Sequence, residues 1–204
     1  MSEVGSIESK VAKARKMMLW FGMISITMTF AGLTSAFIIS SSRPDWLDSF
    51  VLPTWFTIST ISIALSSVFF QLAKIKLDQY VRVSLPENIN IYLQKNNVNI
   101  FLGLTILMAL IFVISQFLGF GEIISQGYYF TGPESSVTTS YIYILAFLHL
   151  AHLFAGIIVL TVVTTKFNNR KYENNKLGFD MALIFWHFLG ALWIYLFFFI
   201  KYFS

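Results

Sequence analysis

The chain has 204 residues, of which 56% are hydrophobic and only 12% charged, too little charge to cover the surface of a soluble domain this long. It contains no cysteine, which excludes a disulfide framework, a thiolate metal site and a cysteine nucleophile. Its net charge of +4 does not mark a nucleic-acid partner, because the basic residues are confined to the segments outside the long apolar runs.

The first sixteen residues are polar and charged and carry no cleavage-site pattern, so residues 1–16 read as a cytoplasmic N-terminal segment rather than a signal peptide. Five apolar runs follow, at about 17–40, 52–72, 100–120, 141–164 and 178–200. Runs of roughly 20 residues cross a hydrocarbon core of about 30 Å when helical. The expected fold is therefore all-α, an integral membrane bundle of five transmembrane helices forming one domain over 17–204. Short segments join them: 41–49 with Arg43, Pro44, Asp45 and Asp48; 78–99 with Pro86 at its middle; and 119–140 with Gly121, Gly127, Gly132 and Pro133. None is long enough for a separate domain. No internal repeat is evident, which removes the inverted-repeat signature of many transporters.

Basic residues alternate between the two sides. Lys10, Lys13, Arg15 and Lys16 precede the first run. Lys74, Lys76, Arg82 and Lys95 lie between the second and third, and Lys166, Arg170, Lys171 and Lys176 between the fourth and fifth. The opposite side has only Arg43 and Lys201. Basic loops stay on the cytoplasmic side, so the N-terminus is expected inside and the C-terminus outside, with the basic residues meeting anionic lipid headgroups. Trp20, Trp46 and Trp55 fall near run ends, where indole rings anchor at the interface.

The first run carries small residues at Gly22, Ser25, Thr29, Gly32 and Ala36, spaced as one helical stripe, and the second carries Ser59, Ser62 and Ser66. Small stripes let helices approach closely in lipid, so these positions are expected to pack helices inside the bundle, with a partner-facing groove as the alternative. All three histidines lie at membrane depth. His149 and His152 share a face of the fourth run with Gly156, and His187 sits on the fifth between Trp186 and Phe188. Ionisable groups at this depth face protein or a cavity. Haem ligation, a metal site, a proton relay and hydrogen bonding to neighbouring helices or lipid are all open to them. A haem pair would take His152 and His187, at depths that differ by roughly one helical turn. A relay or a four-ligand metal site lacks intramembrane carboxylates. Asp180, at the start of the fifth run, suits a helix N-terminus and could alternatively belong to a proton-conducting surface. No phosphate-binding loop or nucleophile elbow is present.

These residues resemble a known family. Phe147-Leu148-His149-Leu150-Ala151-His152-Leu153 with Gly156 is similar to the His-Gly-Leu-His-Val motif, followed by Gly, of subunit III of haem–copper oxidases. Trp186-His187-Phe188-Leu189 with Trp193 resembles that family's last-helix motif, Trp-His-Phe-Val-Asp-Val-Val-Trp. Met28-Thr29-Phe30-Ala31-Gly32-Leu33 resembles a run ending Phe-Phe-Ala-Gly-Leu; Ser66-Ser67 and Gln116 fall where the family has Ser-Ser and Gln. Three family carboxylates are absent, their places held by Ile26, Gly119 and Gly190, so no proton-linked role is carried over to them.

The resemblance is to the five-helix form, and it implies an accessory subunit of a terminal oxidase in a bacterial plasma membrane. The complex would reduce oxygen and translocate protons. This chain would hold no catalytic residue and no cofactor; haem and copper would lie in partner subunits. It would pack against catalytic subunit I and subunit II, with a larger respiratory supercomplex as a further possible assembly, and bind phospholipid. His149, His152 and His187, with Gly156, Trp186 and Trp193, would orient the fourth and fifth helices or bind lipid headgroups and water at their seam. A quinol-oxidising or nitric-oxide-reductase-linked relative is the near alternative. A membrane b-type cytochrome with histidine ligands is the distant one.

Overall fold

The computed structural model describes residues 2–43, 46, 52–83, 90–130, 132, 136–169, 172 and 176–203, with the side chains of 2–8, 82–83 and 90–94 outside that description. Pro44, Asp45, Asp48, Pro86, Pro133, Arg170 and Lys171 lie outside the described residues. Five helices follow one another: α1 Ser2–Ser40, α2 Thr54–Val83, α3 Asn90–Ser125, α4 Val137–Asn168 and α5 Leu177–Phe203. Each is long and apolar enough to cross a membrane. In lipid no water satisfies a free N–H or C=O, so an apolar segment of this length closes its hydrogen bonds within itself as a helix.

The helices outrun the apolar runs that announce them. The basic segment before residue 17 is the first part of α1, and much of 78–99 continues α2 or begins α3. Likewise α3 extends to Ser125 and α4 starts at Val137, so half of the 119–140 segment is helical. The reason is physical: charge ends a hydrocarbon span but not a helix, and Lys and Gln are good helix formers. Real stops carry their own chemistry. Gly127 takes φ +87°, its N–H bonds Ile124 O at 3.0 Å, and the Tyr128 N–H bonds Ile123 O at 3.2 Å, which closes α3 in the paired-bond stop that needs a residue with positive φ. Ser136 caps α4, its hydroxyl accepting from the Thr139 N–H at 3.1 Å.

In the bundle α2 packs along α3, α5 lies against α1, α2 and α4, and α4 also meets α1 and α3. The interior is unusually aromatic. Phe30, Phe37, Phe56, Phe70, Phe112, Phe179, Trp186 and Trp193 are all fully buried. Met18, Phe21, Met28 and Ile39 of α1 point outward, as do Phe198 and Tyr202 of α5. An apolar exterior is what a lipid-facing bundle presents.

Candidate functional site

The seam between α4 and α5 is set by a missing side chain. A Cβ at Gly156 would stand 2.8 Å from Leu189 Cδ1 and 3.3 Å from the Trp186 ring. Glycine therefore lets the α4 backbone rest directly on α5. Trp186 in turn ties α5 to α2, its indole N–H donating to Ser66 Oγ at 3.1 Å. Ser66 donates onward to Thr105 O on α3 at 3.0 Å, so one hydroxyl joins three helices. One face along, Ser62 only bonds Ile58 O within its own helix.

Trp193, two turns along α5, donates to Thr60 Oγ1 at 3.1 Å. Its ring lies 5.0 Å from that of His149. His149 is completely buried, with Phe30 of α1 at 6.4 Å and Phe112 of α3 at 6.0 Å, both edge-on. The imidazole is thus a hub where α1, α3, α4 and α5 converge. His152 is half-buried nearer α1, 5.9 Å from Phe30, and its Nδ1–H donates to Leu148 O at 2.7 Å. That bond fixes the tautomer.

His187 faces elsewhere. Its Nε2 lies 3.1 Å from Gln71 Oε1 on α2, and it lines a lateral groove of about 360 Å³ with Ser67, Val68, Gln71 and Leu72. The structure therefore brings His149 and His152 together on Phe30, and turns His187 to α2 rather than to the α4–α5 seam. No group of three or more His, Asp or Glu side chains that could hold a metal comes together among the described residues.

The α1 stripe also differs from the expected packing. Gly22, Ser25, Thr29 and Gly32 are exposed, and a Cβ at Gly22 or Gly32 would meet nothing within 4 Å among the described residues. The buried face of α1 is Met23, Phe30, Thr34 and Phe37 instead. Thr34 accepts from the Tyr195 hydroxyl at 3.2 Å and so fastens α1 to α5.

Two places where the resemblance expects a carboxylate are closed by α2. A Cβ at Gly119 would meet the Phe56 ring at 2.6 Å, and one at Gly190 would meet Ser67 Oγ at 3.0 Å. Ile26, at the third place, packs half-buried against the core.

The family Cytochrome c oxidase subunit III matches residues 2–204. This chain belongs to the cytochrome c oxidase subunit III family. It is 25% identical to the cytochrome bo(3) ubiquinol oxidase subunit 3 of Buchnera aphidicola subsp. Acyrthosiphon pisum, over 96% of this chain and 90% of that protein. The corresponding subunit of Pseudomonas putida is 25% identical over 87% of this chain and 80% of its own. Cytochrome c oxidase subunit 3 of Dictyostelium discoideum is 30% identical over 53% of this chain and 27% of its own. The resemblance read from the histidine motifs is thereby borne out, and the chain is a subunit III of the haem–copper oxidases.

One cluster of this subunit III chain escaped the sequence reading. At one end of the bundle Lys74 pairs with Asp78 at 2.9 Å and with Asp180 at 2.8 Å, while Lys176 reaches Asp78 at 2.7 Å. Two lysines and two aspartates thus clamp α2 to the start of α5. Asp180 does sit in the first turn of α5, and it is paired there with a lysine as well. The i,i+4 spacing of Lys74 and Asp78 was a visible signal; the partners a hundred residues away were not. Beside the clamp, Tyr172 packs edge-on against Phe179 at 5.8 Å, and burial raises its phenol above the ordinary value.

Proposed function

We propose that this chain is the non-catalytic third subunit of a terminal oxidase in a bacterial plasma membrane, with its N-terminus in the cytoplasm and its C-terminus outside. It packs against catalytic subunit I and subunit II, which hold the haems and copper, and it binds phospholipid along its outer faces. The oxygen reduction and proton translocation of the complex take place in those partners. The observation that carries this reading is the family match along the chain. The alternation of basic segments supports the orientation, and the apolar exterior supports burial in lipid and against partner helices. Within the chain, His149 and Gly156 orient α4, and Trp186 and Trp193 orient α5. His187 pins α5 to α2.

A quinol donor is the reading favoured by length. The quinol-oxidase subunits of Buchnera aphidicola subsp. Acyrthosiphon pisum and Pseudomonas putida align with this chain over 90% and 80% of their own length, whereas the cytochrome c oxidase subunit of Dictyostelium aligns over 27%. The experiment is purification in mild detergent through a tag on this chain, followed by oxygen consumption with ubiquinol and with reduced cytochrome c. Oxidase activity with ubiquinol, in a preparation containing a large haem-bearing polypeptide, is the expected result. Activity with cytochrome c alone would move the donor assignment. Recovery of the chain without any haem-bearing polypeptide would remove the reading.

A further inference from the structure

His149 is fully enclosed, yet neither ring nitrogen meets a hydrogen-bond partner among the described residues. Gln116 of α3, also enclosed, has its Oε1 in the same condition. Buried polar groups are nearly always paired, and leaving one unpaired costs about 1–3 kcal/mol.

Phe112 links the two groups. Phe112 packs edge-on against His149 at 6.0 Å, and Gln116 follows Phe112 by about one turn on the same face of α3, about 6 Å along the axis. One turn further, Phe120 stacks on Phe147 at 4.9 Å and on Tyr143 at 5.4 Å. Gln116 thus stands between two α3 rings that both meet α4. On α4, Ala146 lies one turn before His149, buried and presenting only a methyl group.

The direction of the Gln116 amide is determined. Ser59 spends its one hydroxyl proton on Phe56 O at 2.8 Å, so toward Gln116 it can only accept, and it does so from Nε2 at 2.6 Å. The Gln116 oxygen is therefore left as a free acceptor. A neutral imidazole supplies the matching donor, one N–H. Two hydrogen bonds of about 2.8 Å, meeting near the tetrahedral angle, let a single water bridge groups about 4.5 Å apart.

We propose that His149 and Gln116 hold an internal water molecule at the α3–α4 junction. The imidazole N–H donates to the water oxygen, and the water donates to Gln116 Oε1. The ligand class is a neutral, water-sized hydrogen-bonding molecule. The rings packed on His149, those of Phe30, Phe112 and Trp193, offer a charged species no counter-ion. This site depends only on the fold of the chain and not on which electron donor feeds the complex.

The test is solid-state NMR on the assembled complex in bilayers, with ¹⁵N-labelled histidine, reading polarisation transfer from water protons to the ring nitrogens. His149→Phe identifies the signal. The expected result is a water contact at His149 in the native chain that disappears in Gln116→Leu. A native His149 ring without water contact, or an undiminished contact in Gln116→Leu, would overturn the proposal. Should Gln116→Leu fail to assemble, a high-resolution density map of the native complex decides instead. A water peak about 2.7–3.2 Å from both a His149 nitrogen and Gln116 Oε1 supports the site. A direct His149–Gln116 bond, or no density between them, contradicts it.

Discussion

The indole N–H of Trp186 donates to Ser66 Oγ over 3.1 Å, joining two helices through residues 120 positions apart. In hydrocarbon there is little hydrophobic drive between helices, so such bonds and close backbone packing hold a bundle together. Ser66→Ala strands the Trp186 N–H and removes the bond to Thr105 O, at a cost of about 1 kcal/mol. Trp186→Phe loses the same bond. The prediction is a lowered melting temperature for each single variant, and a Ser66→Ala, Trp186→Phe double variant less destabilised than the two effects added. Strict additivity in thermal melts of the solubilised complex would count against the bond.

Glycine positions give a ranked prediction. At Gly156 the nearest obstacle is Leu189 Cδ1, the far end of a flexible side chain; at Gly119 it is the fully buried Phe56 ring. A ring gives way less easily than a methyl, so Gly119→Ala is expected to cost more than Gly156→Ala, both within about 1–3 kcal/mol. Leu189→Ala should partly rescue Gly156→Ala, and Phe56→Leu should partly rescue Gly119→Ala. Retention of the subunit in the purified complex after graded heating measures this. Equal losses with no rescue would contradict the packing described.

Much of this was legible in the sequence, and the failures have two causes. Five apolar runs gave five helices, because length and apolarity alone decide what crosses hydrocarbon. The histidine motifs gave the family. The orientation of α1 was not legible. Its small stripe, Gly22 to Gly32, faces outward while Phe30 and Phe37 face inward. A soluble helix advertises its inner face by polarity; a lipid-facing helix is apolar on both sides, so that contrast is gone. The partners of His187 and Ser66 were hidden for a plainer reason: they lie on another helix, and spacing along one helix says nothing about them.

The ion-pair cluster is expected to contribute modestly and to respond to salt. The side chains of Asp78 and Asp180 are 36% and 41% exposed. Pairs this open contribute about 0.2–1 kcal/mol. Among the described residues Asp78→Asn weakens two pairs, to Lys74 and Lys176, and Asp180→Asn one. Asp78→Asn should therefore lower the melting temperature more, and both deficits should shrink between low and high ionic strength. Deficits independent of salt would indicate that the aspartates act through packing instead.

His187→Phe removes the bond to Gln71 while keeping a ring of similar bulk against α2. The expected outcome is a loss of about 0.6 kcal/mol in stability, the usual worth of such a bond within a membrane, with the haem spectrum of the complex unchanged. A shifted or missing haem band would reopen a ligand role for this residue.

The central claim is that this subunit works by packing against a partner that carries the redox centres. Size-exclusion chromatography of the tagged, mildly solubilised complex, with haem absorbance and this polypeptide quantified in every fraction, tests it most directly. All haem should travel with the large catalytic subunit, and fractions holding only this chain should be colourless. A haem band rising and falling with the isolated chain would contradict the account.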